Sequence, residues 1–170
     1  MYEMVTTALS LGVIGKPGRR TFLIQGRDNA NCITLKLEKE QVSALCDAIE
    51  AALDTLEEEI GPDPIEPKPT FILQNPVNPL FIVSDMRLGF DHSRELLFLQ
   101  CDPFLEETDK SDEPDVKPVL FFVRRPPMRH LVTHGRSLLE GGRPSCDLCG
   151  NPKDTQHICP RLNGKHPRIA

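Results

Sequence analysis

The chain has 170 residues and a formal net charge of −5, a length that fits one domain or one domain with a small appendage. It contains no tryptophan and a single tyrosine, Tyr2, so it lacks the usual stacking residues of sugar and single-strand nucleic-acid sites. Glu3 lies where a secretory signal needs positive charge, and no run approaches the ~18 apolar residues of a membrane helix. We therefore expect a cytosolic protein, in which clustered cysteines are metal ligands rather than disulfides.

The charge is distributed unevenly along the chain. Residues 1–123 contain 11 basic and 22 acidic residues, a net charge of −11. Residues 124–170 contain 9 basic and 3 acidic residues, a net charge of +6. This basic segment predicts contact with an unknown protein or another anionic partner. The alternative is that it folds back onto its own acidic body.

The first predicted unit covers about residues 5–60 and reads as three short strands followed by a helix. Its strands lie around "LGVIGKPG" (11–18), "RTFLIQ" (20–25) and "ITLKL" (33–37), with Gly/Pro-rich or Asp/Asn-rich turns typical of antiparallel hairpins. The helix is indicated by apolar residues at i, i+3, i+4 and i+7 spacing, namely Val42, Leu45, Cys46, Ile49, Ala52, Leu53 and Leu56.

A second predicted unit, about residues 80–142, repeats this order. "VLFFV" (119–123) and the helix beginning at "RPPM" (125–128) match the first unit at an offset of 86, while "ELLFLQ" (95–100) and "MRLGFDHS" (86–93) match it at an offset of 75. Met128, Leu131, Val132, Gly135, Leu138 and Leu139 give the helical period. The 11-residue difference falls in residues 102–118, which are acidic, interrupted by prolines and predicted to form a surface loop.

Between the units, "GPDPIEPKP" (61–69) predicts a semi-rigid linker, and "TFILQ" (70–74) is a candidate extra edge strand. One helix and three short strands cannot bury a core alone, so the two units should pack together. The predicted fold class is α+β, with two βββα units forming antiparallel sheet and two covering helices. The body is expected to span residues 1–142 and a C-terminal zinc knuckle residues 143–170.

The tail contains "CDLCGNPKDTQHICPRLNG" (146–164), with the pattern C-x2-C-x7-H-x-C. The Cys-x-x-Cys turn places two thiolates on one side of a loop, and residues i and i+2 of an extended "HIC" face the same way. The pattern predicts one zinc ion bound by Cys146, Cys149, His157 and Cys159, with His166 as a competing fourth ligand. Four protein ligands leave no open position for substrate, so the zinc is expected to be structural rather than catalytic.

Two stretches, "GKPGRRTFLIQGR" (15–27) near the start and "GGRPSCDLCGNPKDTQHICPRLNG" (141–164) near the end, resemble a bacterial family, domain of unknown function 3090. The resemblance covers nearly the whole chain. The terminal motif of that family implies Cys146, Cys149, His157 and Cys159 as its Cys-x-x-Cys-Gly and His-x-Cys-Pro positions, which favours His157 over His166. Gln156 departs from the glycine that the family tends to have before the histidine. The resemblance implies no activity.

Other residues give weaker patterns. His130 and His134 have i, i+4 spacing but no acidic residue between them, so surface or boundary positions explain them better than a metal site. "GVIGKPGRR" (12–20) lacks the helix and the Lys-Ser/Thr pair of a phosphate loop, which favours a hairpin turn. The remaining cysteines read as small core residues, namely Cys32, Cys46 and Cys101.

Three functions follow from these patterns. The first is a non-catalytic binding or adaptor protein, since no catalytic group is visible and the zinc ligands are complete. The second is an enzyme or small-ligand protein that uses a cleft between the two units, with Arg19, Arg20, Arg124 and Arg125 as anion-binding candidates. The third is nucleic-acid binding through the basic tail, which has the charge but no aromatic residues.

Overall fold

The computed structural model describes residues 1–105 and 116–141 together with Cys159. These residues form a mixed α+β fold with two helices and two sheets. In chain order the elements are β1 (Tyr2–Val5), β2 (Ala8–Ile14), β3 (Thr21–Arg27), β4 (Cys32–Leu37), α1 (Lys39–Ile60), β5 (Val83–Asp91), β6 (Leu96–Pro103), β7 (Val119–Val123) and α2 (Arg125–Glu140).

At the start of helix α1, the side chain of Gln41 accepts a hydrogen bond from a backbone N–H that has no partner within the helix. The backbone N–H of Glu38 donates to Oε1 of Gln41 at 2.8 Å, which satisfies a group that the first helical turn leaves unpaired. The helix ends at Gly61, whose φ of 88° suits a residue without a Cβ. Its apolar face is buried as the periodicity predicts, through Val42, Leu45, Cys46, Ile49, Leu53 and Leu56.

Two proline residues start helix α2, as predicted, because proline is tolerated where backbone N–H groups have no helical partner. Met128, Leu131, Val132 and Gly135 face the core. The two helices run antiparallel, since Arg129 near the start of α2 pairs with Glu57 near the end of α1, and Arg136 pairs with Asp47. Both helices contribute to one continuous hydrophobic core.

The strands form a three-stranded sheet in the order β2-β3-β4 and a four-stranded sheet in the order β1-β7-β6-β5. Two antiparallel meanders, β2-β3-β4 and β5-β6-β7, agree with the predicted hairpins. The expectation of purely antiparallel sheet is wrong, because β1 pairs with β7 in parallel and Met4 lies beside Phe121. Sequence patterns do not show such a pairing between segments more than 100 residues apart.

The registers of the two meanders correspond closely. Ile24 pairs with Leu35 between β3 and β4, and Leu99 pairs with Phe121 between β6 and β7. The predicted offset of 75 relates Ile24 to Leu99, and the predicted offset of 86 relates Leu35 to Phe121. The offset of 75 is wrong for the first strand of each meander. Leu11 lies opposite Ile24, and an offset of 75 would place Met86 opposite Leu99. The residue opposite Leu99 is Leu88, so the offset between these two strands is 77.

A backbone bridge joins one edge of the three-stranded sheet to one edge of the four-stranded sheet. Lys36 of β4 forms a parallel bridge with Ile82, supported by bonds from Lys36 N to Phe81 O at 3.0 Å and from Leu80 N to Thr34 O at 2.7 Å. At the other edge of each sheet lie β1, in the four-stranded sheet, and β2, in the three-stranded sheet, and only two residues separate them in the chain. The chain between residues 2 and 14 therefore belongs first to one sheet and then to the other, which ties both sheets to one core.

Residues 61–80 connect α1 to β5 without forming a helix or strand, and we call this segment the strap. The predicted edge strand over residues 70–74 is wrong. The N–H of Gln74 donates to a side chain, Oε1 of Gln25, instead of to a neighbouring strand. Leu73 lies against Gly12 of β2. The strap therefore crosses the face of the three-stranded sheet that carries Gly12 and Gln25. Leu23 lies on the same face and is fully buried.

Candidate functional site

The predicted zinc ligands fall mostly outside the described residues. Cys146, Cys149 and His157 lie there, as does the alternative ligand His166, so the structure does not test the site. Cys159 is described and is buried, with 6 % of its surface exposed. Within residues 1–105, 116–141 and 159, no group of three histidine, cysteine or acidic side chains has the arrangement of a metal site.

His134, one of the two histidines of α2, has a packing role. The ring of His134 stacks on Phe71 of the strap, with 4.5 Å between ring centroids and 13° between planes. Its Nε2 lies 3.1 Å from the carbonyl oxygen of Leu11 in β2. His134 thus links α2, the strap and β2, which agrees with the boundary position expected for it.

The four arginines proposed to bind anions do not form one site, because Arg124 and Arg125 line a cavity at the start of α2, whereas Arg19 and Arg20 lie in the β2–β3 turn. Arg20 donates from Nη1 to the carbonyl oxygen of Leu138 at 2.7 Å, and so satisfies the C-terminal end of α2. Arg124 pairs with Glu66 of the strap. Arg125 donates to the carbonyl oxygen of Gly61 at 2.9 Å and lies 3.3 Å from Asp63.

Further along α2, two arginines pair with the acidic face of α1. Arg129 donates to Asp63 at 2.8 Å and to Glu57 at 3.0 Å, and the hydrogen bond to Asp63 raises the pKa of Arg129. Arg136 contacts Asp47 and Glu50 in the same way. The described part of the basic segment therefore folds back onto the acidic body. Five of its basic residues lie outside the described residues, namely Arg143, Lys153, Arg161, Lys165 and Arg168.

Three cysteines of the body differ in exposure. Cys46 and Cys101 are buried core residues, as predicted, and burial raises the pKa of both thiols, that of Cys101 to about 12. The prediction for Cys32 is wrong, because its side chain is exposed at the start of β4. The Asp28 carboxylate of the preceding turn accepts bonds from Ala30 N and Asn31 N. Cys32 follows this turn directly.

Cys32 lies in a cleft of about 570 Å³. The walls of the cleft are mainly apolar and include Ile33, Leu80, Val116 and Val119. They come from the β3–β4 turn, the end of the strap and the segment entering β7. A cleft of this size is typical of small-molecule sites. We call it the inter-unit cleft, because it separates residues of the two predicted units.

A second surface feature begins at the same place. Leu80, Ile82, Phe104 and Leu105 are 55 %, 43 %, 60 % and 46 % exposed, and we call these four residues the apolar rim. Phe104 N donates to the carbonyl oxygen of Ile82 at 2.7 Å, which brings the two chain segments together. Contiguous exposed apolar groups of this kind mark interaction surfaces.

Comparison with known proteins identifies the family. The family described as "Protein of unknown function (DUF3090)" matches residues 2–159. The chain belongs to this family. Searches of curated proteins and of solved structures gave no significant match. In this DUF3090 protein, neither described helix is long and apolar enough to cross a membrane.

Sequence reasoning predicted a cleft between the two units but not the residues that line it, and it missed the rim of this DUF3090 protein. Tyr2, Ile33, Leu80 and Val119 meet in the cleft although they are far apart in the chain. One pattern was available for the rim, since Phe104 and Leu105 are apolar residues in a segment predicted to be an acidic surface loop. Apolar residues in such a loop indicate either a hidden contact or a binding surface.

Proposed function

We propose that the protein is a cytosolic, non-catalytic binding or adaptor protein. The apolar rim carries this proposal. Four large apolar side chains remain exposed on two neighbouring chain segments, outside the core that the described residues bury. Keeping Phe104 and Leu105 in water is unfavourable, so a partner that covers them gains hydrophobic free energy on binding.

The proposed partner at the rim is a protein. Its apolar surface would be bordered by basic side chains, since residues 1–123 have a net charge of −11 and acidic residues follow Leu105 directly in the sequence. The basic residues of the tail would contact an anionic surface of the same or another partner. The described arginines of α2 are already paired and are not part of this second surface.

Affinity capture with matched variants tests the adaptor function. Phe104→Ser combined with Leu105→Ser removes the exposed apolar groups, and Ile65→Ser is the control, because Ile65 is fully exposed on the strap. We expect a specific protein to be captured by the native chain and the control and lost from the rim variant. Capture of the same proteins by all three chains contradicts the proposal, and so does capture of none.

The proposed structural basis is a body of two repeated βββα units, residues 1–142, and a tail, residues 143–170. The matching registers of the two meanders support the repeat. Two contacts between α1 and α2 also support the repeat, because each joins residues 86 positions apart, which is the sequence offset between the two helices. Cys46 Sγ lies 3.9 Å from Val132 O, and Arg136 donates to Glu50 at 2.5 Å. Equivalent residues meet in this way when two similar units pack about a twofold axis.

In the tail, the proposed zinc ligands are Cys146, Cys149, His157 and Cys159. Three thiolates and an imidazole are a donor set that zinc prefers in structural sites. Such sites contribute an apparent ~10–16 kcal/mol to the folding of short peptides. The burial of Cys159 suits a ligand enclosed by protein.

Native mass spectrometry with and without a chelator tests the zinc site. We expect one zinc ion per chain, lost from the Cys146→Ser variant and retained in Cys32→Ser. Full zinc content in a His157→Asn variant would indicate that His166, rather than His157, is the fourth ligand. A purified chain that carries no metal and takes up none from added zinc would exclude the site.

The inter-unit cleft favours a second candidate function, a small-ligand protein. Ile33 of the first unit and Val119 of the second contribute to one cavity of suitable size. None of the four candidate arginines, Arg19, Arg20, Arg124 and Arg125, lines this cleft, so the ligand would be recognised by the apolar walls. A thermal-shift screen of metabolites tests it, and the Leu80→Trp variant, which fills the cleft, should lose any stabilisation seen with the native chain.

A further inference from the structure

Strand β5 is the last strand of the four-stranded sheet, and among the described strands only β6 pairs with it. The outer side is occupied just before and at its start, where Ile82 forms the bridge to Lys36. There the side-chain amide of Gln41 also donates to the carbonyl oxygen of Val83 at 3.0 Å. Beyond this point, the described residues offer the backbone of residues 85–91 no hydrogen-bond partner on that side. Such an open edge is a surface for pairing with another strand.

The register with β6 determines which backbone groups face the open edge. Phe104 N donates to the carbonyl oxygen of Ile82, so alternate residues of β6, counted back from Phe104, direct their backbone groups towards β5. Their partners in β5 are Asp85, Arg87, Gly89 and Asp91. The residues between these partners, Met86, Leu88 and Phe90, therefore direct their N–H and carbonyl groups outward.

The side chains of the same three residues form an apolar layer that is incomplete at the edge. Met86, Leu88 and Phe90 pack against the core but are only partly buried. The β6 residues opposite them are fully buried, namely Cys101, Leu99 and Leu97. A further strand beside β5 would remove this apolar surface from water and would pair the outward backbone groups at the same time.

The charges on the other face of β5 are complementary to a second copy of the same strand. When two β5 strands lie antiparallel with Leu88 opposite Phe90, Arg87 of each copy lies opposite Asp91 of the other, and Gly89 lies opposite Gly89. Opposite charges directly across neighbouring strands are favourable, and so are the apolar pairs of this register. One strand thus carries both halves of a self-complementary pattern, which favours a second copy of the chain over an unrelated strand.

The present contacts of the two charged residues are compatible with this pairing. Arg87 is 65 % exposed and uses Nη2 for its bond to Asp102, which leaves its other guanidinium N–H groups at the surface. Asp91 uses Oδ1 to accept bonds from Ser93 and Arg94, while its Oδ2 lies 3.5 Å from Nε of Arg94. Arg87 can therefore reach a carboxylate of another copy without breaking the β5–β6 turn.

We propose that the open edge of β5 pairs antiparallel with the same edge of a second copy of this chain. Leu88 and Phe90 of the two copies exchange backbone hydrogen bonds, and the two four-stranded sheets join into one. The pairs between Arg87 and Asp91 set the register. This dimer is separate from the adaptor function proposed for the apolar rim and does not depend on it.

Amide exchange measured by NMR over a range of protein concentrations tests the native chain. We expect exchange at Leu88 and Phe90 to slow as concentration rises, because pairing protects their outward N–H groups. The N–H groups of Arg87 and Gly89 bond to β6 within each copy and should be protected at every concentration. Sedimentation of the same samples should show the mass of two chains. A chain that remains monomeric overturns the proposal, and so does a dimer without protection at Leu88 and Phe90.

Two charge reversals test the register. Arg87→Glu and Asp91→Lys each place like charges opposite each other at both pairs, so each alone should weaken dimerisation about tenfold or more. An equimolar mixture of the two variants restores opposite charges at both pairs and should form a mixed dimer. Asp85→Lys is the control, because it makes the same charge change on the same face but lies opposite Ser93 in this register.

Absence of a mixed dimer from two folded variants overturns the pairing, and so does a loss of dimer in Asp85→Lys as large as that in Asp91→Lys. Asp91→Lys also removes the turn bonds to Ser93 and Arg94. If that variant does not fold, the exchange measurement on the native chain together with Arg87→Glu decides the outcome.

Discussion

Gln25 in β3 and Gln74 in the strap bind each other through two hydrogen bonds. Nε2 of Gln25 donates to the carbonyl oxygen of Gln74 at 3.1 Å, and the N–H of Gln74 donates to Oε1 of Gln25 at 2.8 Å. The same Nε2 donates to Oγ1 of Thr34 at 2.8 Å. The buried side-chain amide thus pairs with the strap as a strand backbone would, and it holds the strap on the outer face of the sheet.

Replacing Gln25 should therefore destabilise the protein. Gln25→Leu leaves the Gln74 N–H and the Thr34 hydroxyl without this partner, which we expect to cost about 1–3 kcal/mol of unfolding free energy. Gln100→Leu is the control, because Gln100 has the same register position in the second meander and bonds at its surface to Asp102. Urea denaturation measures both, and equal losses would contradict this role of Gln25.

The contact between Gly12 and Leu73 allows a double-mutant test of the strap. A Cβ on Gly12 would lie 2.5 Å from Cδ1 of Leu73, so Gly12→Ala must displace that side chain. We expect a loss of about 1–3 kcal/mol for Gly12→Ala, and a smaller loss when Leu73→Ala is already present. Gly26→Ala is the control, since its Cβ would meet Phe121 in the core instead, and its cost should not depend on residue 73. Additive effects of Gly12→Ala and Leu73→Ala would show that the strap does not pack there.

The ion pairs between the strap and α2 should differ in strength according to burial. The side chains of Arg125 and Asp63 are 13 % and 12 % exposed, so Arg125→Met leaves a largely buried carboxylate short of a partner and should cost about 2 kcal/mol. Arg136→Met removes only exposed pairs with Asp47 and Glu50, which water and salt screen. Urea denaturation at low and high salt should show a salt-independent loss for Arg125→Met and a small, salt-sensitive one for Arg136→Met. The reverse order would refute this assignment.

Cys101 should make stability depend on alkaline pH. Burial raises the pKa of its thiol from the ordinary 9.0 to about 12, so above pH 9 the unfolded chain releases a proton that the folded chain retains. The contribution is fully present below pH 9 and is lost as pH rises towards 12, by about 1.4 kcal/mol per pH unit. Urea denaturation from pH 8 to 10.5 should show the native chain losing its advantage over Cys101→Ala as pH rises. A constant difference between the two would mean that Cys101 ionises equally in both states.

Local patterns in the sequence determined the helices and hairpins. The apolar spacing around Cys46 and the prolines before Met128 predict the helices because each depends on residues within a few positions of one another. Gly15 and Gly18, with φ of 96° and 88°, occupy the hairpin turn that their sequence predicts. The tail motif rests on spacing in the same way, and its zinc site stays a prediction.

Only the tertiary structure decided how distant segments meet. The parallel pairing of β1 with β7, the path of the strap and the exposure of Cys32 all depend on contacts between residues far apart in the chain. Leu80 and Val119 read as ordinary apolar residues in the sequence, yet the fold leaves Leu80 55 % exposed and buries Val119 completely. Hydrophobic burial is not directional, so the sequence specifies which residues are apolar but not which of them remain open to a ligand or partner.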